Sequence, residues 1–222
     1  MRKLGLNNCA IYDEVLSQED FASLWKWVQE DNYTGAHSNE WLKVWRLSDS
    51  PPMGGTSFYL SKAPFSNPID KLLPKVLQMA EDSRDMIGKR GEKWNEISIK
   101  SYIYPRGTKL SWHNDSGYEA ACIFYTHPKW SSSWGGELFI AETDKNFEKE
   151  CFEEKLKIGP LEKEYVDAIL EDKGVGRYVH SKPNRAVLTP APIWHTVNRV
   201  DADAGDNCRC SIVFFFKKNI KS

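Results

Sequence analysis

Residues 97–125 read ISIKSYIYPRGTKLSWHNDSGYEAACIFY, and the rhythm of this stretch decides the class of fold. Ile97–Tyr104 and Ala120–Tyr125 have the composition and short period of strands, and Gly107 and Asn114 mark turns between them. Downstream the same pattern predicts strands at Glu137–Ala141, Arg185–Leu188, Thr196–Val200 and Cys210–Phe216. Short strands separated by Gly, Pro and Asn turns argue for a sandwich or jelly roll rather than a parallel sheet.

Upstream the rhythm is that of helices, so residues 1–94 are expected to be mostly helical. Ser17 followed by Asp20 is a capping-box variant, and Phe21, Leu24, Trp25 and Val28 repeat on one helical face. A second helix is predicted from Asn67-Pro68, carrying Ile69, Leu72, Leu73, Val76, Leu77 and Met79, with Pro74 kinking it or shifting its start. Between the two, Asp49–Gly55 reads as a turn-rich loop. Residues 142–182 interrupt the strands: they are highly charged, have helical character around Leu161–Leu170 and end in a hinge-like Gly174-Val175-Gly176. An insertion of this size is a lid or binding element on one reading and a solvated helical excursion on the other. The whole is an α+β chain, mainly β, expected as a single domain over 1–222 with its strand core at 95–217.

Composition narrows the functional classes. The 222 residues are 41% hydrophobic and 27% charged, enough for a sizeable core, and 30 Lys+Arg against 31 Asp+Glu leave a net charge of -1. That balance argues against nucleic acid or an anionic membrane as partner. No apolar run is long enough to span a bilayer and no signal peptide opens the chain, so a cytoplasmic location is expected. The five cysteines form neither a disulfide framework nor a zinc ribbon, and Cys122 and Cys210 read as buried inert thiols.

Five histidines are present, and two stand out. His113-Asn114-Asp115 is an H-x-D after a predicted strand, and His195 opens a later one. Two imidazoles and a carboxylate on adjacent strands can occupy one face of an octahedral ion, leaving three positions open, as Fe(II) requires to take a chelating co-substrate and O₂. Arg209-Cys210-Ser211 opens the last strand, whose alternation puts Arg209 and Ser211 on one face. A guanidinium fork beside a hydroxyl suits a carboxylate; an edge salt bridge is the plainer alternative. His37, His127 and His180 have no partner at metal spacing and read as surface or hydrogen-bonded structural histidines.

From Ile97 to Phe216 the chain resembles the Fe(II)- and 2-oxoglutarate-dependent dioxygenases, in their prolyl-hydroxylase-like branch. The resemblance rests on Tyr104-Pro105-Arg106-Gly107 ahead of His113-Asn114-Asp115, and on Cys122–Tyr125 with Trp130 and Gly135-Gly136-Glu137-Leu138. It continues through Asn184–Leu188, Trp194–Val197 and Arg209-x-Ser211. It implies a double-stranded β-helix (jelly-roll) core with supporting N-terminal helices and a helical insertion. It implies His113, Asp115 and His195 as iron ligands, and Arg209, Tyr125, Tyr104 and Ser211 as 2-oxoglutarate contacts. Fe(II), 2-oxoglutarate and O₂ are the implied cofactors, with ascorbate as a stimulant. Asp201–Asn207 forms an extra turn between His195 and Arg209, and Leu110 stands where many prolyl hydroxylases have a tyrosine. The retained Asp115 fills the position that halogenases of this superfamily leave to chloride, so hydroxylation is expected.

The implied reaction couples decarboxylation of 2-oxoglutarate to succinate and CO₂ with hydroxylation of an unactivated C–H bond. An amino-acid side chain, peptidyl or free, is the expected target, with Trp112, Asn114 and Trp130 as substrate contacts. Trp134, Trp194, Trp41 and Trp45 are further candidates for an aromatic rim. Three other readings are a small-metabolite oxygenase of the same superfamily, a metal-binding jelly roll without oxygenase activity, and a zinc hydrolase. The last lacks an H-E-x-x-H and a general-base Glu beside the ligands.

Overall fold

The computed structural model describes residues 1–6, 9–35, 52–142 and 175–219. Its framework is two antiparallel sheets. The larger runs in the order β1 (Arg2–Leu6), β2 (Cys9–Asp13), β10 (Ala186–Pro190), β7 (Tyr118–Tyr125), β12 (Arg209–Lys218), β5 (Trp94–Tyr104), β4 (Met53–Tyr59) and β3 (Thr34–Gly35). The smaller runs β6 (Leu110–His113), β11 (His195–Val197), β8 (Leu138–Ala141) and β9 (Gly176–Val179). Facing sheets with strands alternating between them make a jelly roll, as the strand pattern predicts.

Strand alternation divides the large sheet between two cores. On β12, Ile212, Phe214 and Phe216 pack with Ile97, Ile99, Cys122 and Phe124 against the helices. Each such fully buried side chain contributes roughly 1.5–3 kcal/mol. The intervening residues of the same strands, among them Tyr104, Ile123 and Tyr125, face the small sheet and join Leu138, Ile140, Val197 and Val200.

The helices seal the outer face of the large sheet. Helix α1 (Gln18–Glu30) starts at Ser17, whose hydroxyl accepts the Asp20 N–H at 3.1 Å and donates to the Asp20 carboxylate at 2.9 Å. Helix α2 (Ile69–Asp82) buries Ile69, Leu72, Leu73, Val76, Met79 and Ala80, a stripe at helical spacing. Pro74 lies inside α2, so the helix runs through it rather than starting after it.

Several expectations are corrected. Among the described residues the N-terminal part carries strands beside its helices: β1, β2 and β4 belong to the large sheet. Met53-Gly54-Gly55, read as loop, opens β4 by pairing with β5, and glycine stands at 55 because a Cβ there would collide with the Asp31 carboxylate and the Ser101 hydroxyl. Gly176, read as a hinge, opens β9, and the strand expected at 196–200 occupies His195–Val197. The extra turn after His195 is present as a 3-10 turn at Ala202–Ala204, capped by the Asp201 side chain. His37, Trp41, Trp45 and the helical character at Leu161–Leu170 lie outside the described residues. Burial pushes the Cys122 and Cys210 thiols up to about 12, which keeps them protonated. Among the described residues no helix is long and apolar enough to cross a membrane.

Candidate active site

Strands β6 and β11 are neighbours in the small sheet, and their register sets His113 directly opposite His195. The two rings stand 4.2 Å apart between centroids. Asp115 follows β6 in a turn closed by the Tyr118 N–H on the Asp115 carbonyl at 2.8 Å. Asn114 Oδ1 accepts the Ser116 N–H at 3.3 Å, and Lys218 Nζ donates to the Ser116 carbonyl at 2.7 Å. This anchoring brings Asp115 Oδ2 to 3.6 Å from His195 Nε2. One ligand atom from each of His113, Asp115 and His195 lies within 4.8 Å of the others, a group that could hold a metal ion.

The donor chemistry suits a divalent ion. His195 Nδ1 lies 2.8 Å from the Ile193 carbonyl and must donate to it. That bond leaves Nε2 with its lone pair turned toward Asp115. The Thr196 hydroxyl ties β11 to β6 through the Leu110 carbonyl at 2.7 Å. Burial holds the Asp115 carboxyl above its ordinary value, opposed by the nearby His195. A carboxylate in so desolvated a place calls for a cation.

A second charge lies deeper in the barrel. Arg209, opposite Tyr104 at the start of β12, is 1% exposed. Its Nε donates to Ser181 Oγ at 3.1 Å, and Nη2 reaches the Tyr125 hydroxyl at 3.5 Å. The guanidinium carbon stands 4.9 Å and 5.0 Å from the ring centroids of Tyr104 and Tyr125. Among the described residues it meets no carboxylate, so the edge salt bridge is not found. A buried cation with only neutral partners fits an anion supplied from outside. Tyr104 lies within reach of both charges: burial raises its hydroxyl, Arg209 opposes that rise and Asp115 adds to it.

The other candidates fall into two groups. Ser211 is buried on β12 opposite Tyr125 and Tyr102, on the Arg209 face. Trp112 and Asn114 are half-buried beside the metal group. Trp130 instead is packed inside: its indole N–H donates to the Gly135 carbonyl at 2.8 Å, and its ring meets His127 and Trp134. Trp194 is buried as well.

Sequence reasoning missed Ser181, which comes from the end of the charged insertion where no motif flags it. It also passed over Tyr102, whose hydroxyl is raised by burial first and then by Tyr104, Tyr118 and Asp115. Its place two residues before Tyr104, on the same strand face, was the available signal.

Comparison with known proteins follows the same lines. A family profile described as the 2OG-Fe(II) oxygenase superfamily matches residues 99–217, more than half of the chain. No curated protein sequence matches significantly. Among solved structures, the chain resembles a prolyl-4-hydroxylase of Pseudomonas putida with a TM-score of 0.64 at 14% identity, covering 95% of this chain and 92% of that one. A prolyl hydroxylase of Trichoplax adhaerens, solved with a hypoxia inducible factor peptide fragment, gives 0.61 at 12% identity over 95% and 84% of the two chains. The non-heme alpha ketoglutarate dependent epimerase SnoN from nogalamycin biosynthesis gives 0.58 at 10% identity over 94% and 77%. At these identities the likeness shows a shared fold.

Proposed function

The chain belongs to the 2OG-Fe(II) oxygenase superfamily, and on that premise we propose that it hydroxylates an unactivated C–H bond of an amino-acid side chain, peptidyl or free. The two histidines and one carboxylate within this fold make it a dioxygenase. His113, Asp115 and His195 hold Fe(II), and 2-oxoglutarate and O₂ are the co-substrates. When bound, the iron couples oxidative decarboxylation of 2-oxoglutarate, to succinate and CO₂, with insertion of one oxygen atom into the substrate.

The protein's own residues supply grip and orientation. Arg209 pairs with the distal carboxylate of 2-oxoglutarate. Its Nε is committed to Ser181, so the Nη edge of the fork faces the ligand. The Tyr125 hydroxyl sits beside that edge, and Tyr104 and Ser211 line the same face of the sheet. The Ile193 carbonyl keeps the proton of His195 on Nδ1, so that Nε2 serves the metal. Trp112 and Asn114 flank the open side, where the substrate enters.

The observation that carries this reading is a buried Arg209 without an anionic partner among the described residues, in the barrel that also holds the metal group. The likeness to prolyl hydroxylases favours an amino-acid side chain over another small metabolite. The test is anaerobic reconstitution with Fe(II) and 2-oxoglutarate, followed through the weak visible charge-transfer band. Wild type is expected to show the band and His195→Ala to lose it. Succinate release and a one-oxygen mass gain are then screened against free amino acids and peptides, proline first. Tight zinc with no band would instead support the metal-binding or hydrolase readings.

A further inference from the structure

His127 has no place among the metal ligands or the co-substrate contacts, yet it is 2% exposed and fully engaged. Its Nε2 lies 2.7 Å from the Ser181 carbonyl, which only accepts, so Nε2 carries the proton. A neutral ring then has its lone pair on Nδ1, which accepts the Cys210 N–H at 3.1 Å. Burial first, and the Arg209 charge with it, pushes the imidazole down to about 4, so this tautomer persists at neutral pH. The Cys210 carbonyl also lies 3.1 Å from Nδ1, but it already accepts the Thr126 N–H at 3.0 Å, and with the ring's one proton on Nε2 it is the Cys210 N–H that Nδ1 pairs with. The ring thus joins the residue after Arg209 to the residue that binds the Arg209 Nε.

Those two tethers define the frame of the guanidinium. Ser181 Oγ accepts the Arg209 Nε–H at 3.1 Å and donates its own hydroxyl hydrogen bond to the Gly136 carbonyl at 2.7 Å. Gly136, at φ +71°, leaves room for the arginine, since a Cβ there would stand 2.8 Å from Arg209 Cδ. Three segments distant in sequence therefore meet around one side chain, and the imidazole is the bridge between two of them. The Nε bond to Ser181 at 3.1 Å is the shorter of the two tethers on the guanidinium, the other being Nη2 to the Tyr125 hydroxyl at 3.5 Å, so the plane of the fork shifts when Ser181 moves, and a two-point grip on a carboxylate depends on that plane.

We propose that His127 is a positioning residue for Arg209, holding the Cys210 amide and the Ser181 carbonyl so that the guanidinium meets the distal carboxylate of 2-oxoglutarate edge-on. The inference rests on Arg209 as the co-substrate arginine and adds the device that aims it. An apolar residue of similar size leaves the Cys210 N–H and the Ser181 carbonyl without this partner, and Ser181 is then free to draw away from Nε. Glutamine restores one donor and one acceptor at nearly the separation of the two ring nitrogens.

The experiment is an anaerobic titration of the Fe(II)-loaded protein with 2-oxoglutarate, read by the charge-transfer band, after melting curves have established that each variant folds. The variants are His127→Leu, His127→Gln, Arg209→Ala and the His127→Leu/Arg209→Ala double. His127→Leu is expected to weaken 2-oxoglutarate roughly tenfold, with Fe(II) affinity unchanged, and His127→Gln to recover most of the loss. On the Arg209→Ala background His127→Leu should cost nothing further, because its effect runs through the arginine. In turnover the change should fall on the KM for 2-oxoglutarate and spare kcat at saturation. Should His127→Leu not fold, His127→Asn carries the test, keeping the acceptor for Cys210 and losing the donor to Ser181. An equal loss on both backgrounds, or no loss in His127→Leu or its Asn substitute, overturns the proposal. Unchanged affinity in Arg209→Ala overturns the co-substrate reading and the positioning role with it.

Discussion

Replacing Arg209 by methionine sets two measurable quantities moving in opposite directions. With 2-oxoglutarate bound, the guanidinium contributes charge-assisted hydrogen bonds worth about 1.5–3 kcal/mol each. Two of them come to about 3–6 kcal/mol, a loss of about two to four orders of magnitude in affinity. Without the ligand the balance differs. The cation is 1% exposed and holds a hydrogen bond to Ser181 at 3.1 Å, with two tyrosine faces at 4.9 and 5.0 Å. Those contacts return roughly 1 kcal/mol each, against a desolvation cost of several kcal/mol for an ion lacking a counter-charge. The terms nearly cancel, so methionine should leave the ligand-free protein within about 1–2 kcal/mol of wild type, with stabilisation the favoured direction. In a chain of this size that is a change in Tm of no more than about 4–8 °C. The assay pairs a melting curve without ligand with an anaerobic 2-oxoglutarate titration by the charge-transfer band. A collapse of ligand-free stability together with unchanged affinity would refute the reasoning, since Arg209 would then be a structural cation. Arg209→Lys, which keeps the charge and loses the fork, should fall between the two.

Gly136 and Gly107 separate backbone strain from an effect on the site. Both have positive φ, +71° and +86°, so alanine costs either position roughly 1–2 kcal/mol; only at Gly136 does a Cβ meet Arg209, and only Gly136→Ala should also weaken 2-oxoglutarate, several-fold in the same titration. Asp13 is one source of acid sensitivity. Its bond with Arg185, aided by Lys182, holds its carboxyl below the ordinary 3.8, and the stability this gives is present above that value and lost as pH falls through the lower folded value. Asp13→Asn should therefore cost about 2–3 kcal/mol at neutral pH, and the difference from wild type in denaturant titrations should shrink below pH 3.8.

Legibility varied with the range of the forces involved. The α1 cap was readable because Ser17 and Asp20 are three residues apart, and the core strands β5, β7 and β12 because their alternation is written locally. Strand β4 was not readable, since Gly54 and Gly55 have weak strand propensity and the strand exists by pairing with β5. His127 read only as a surface or hydrogen-bonded structural histidine, because its partners Cys210 and Ser181 lie 83 and 54 residues away in the chain.

By itself the sequence determined the period-two strands, the H-x-D, the later histidine and the last-strand arginine, because each is encoded in a few adjacent residues. It also determined the family resemblance, which depends on the order of those motifs. Only the tertiary structure set His195 opposite His113, placed Arg209 among neutral partners, and brought Ser181, Gly136 and His127 together around it. These contacts join residues tens of positions apart. What creates them is strand register and the requirement that buried polar groups find partners, and neither is written in local sequence.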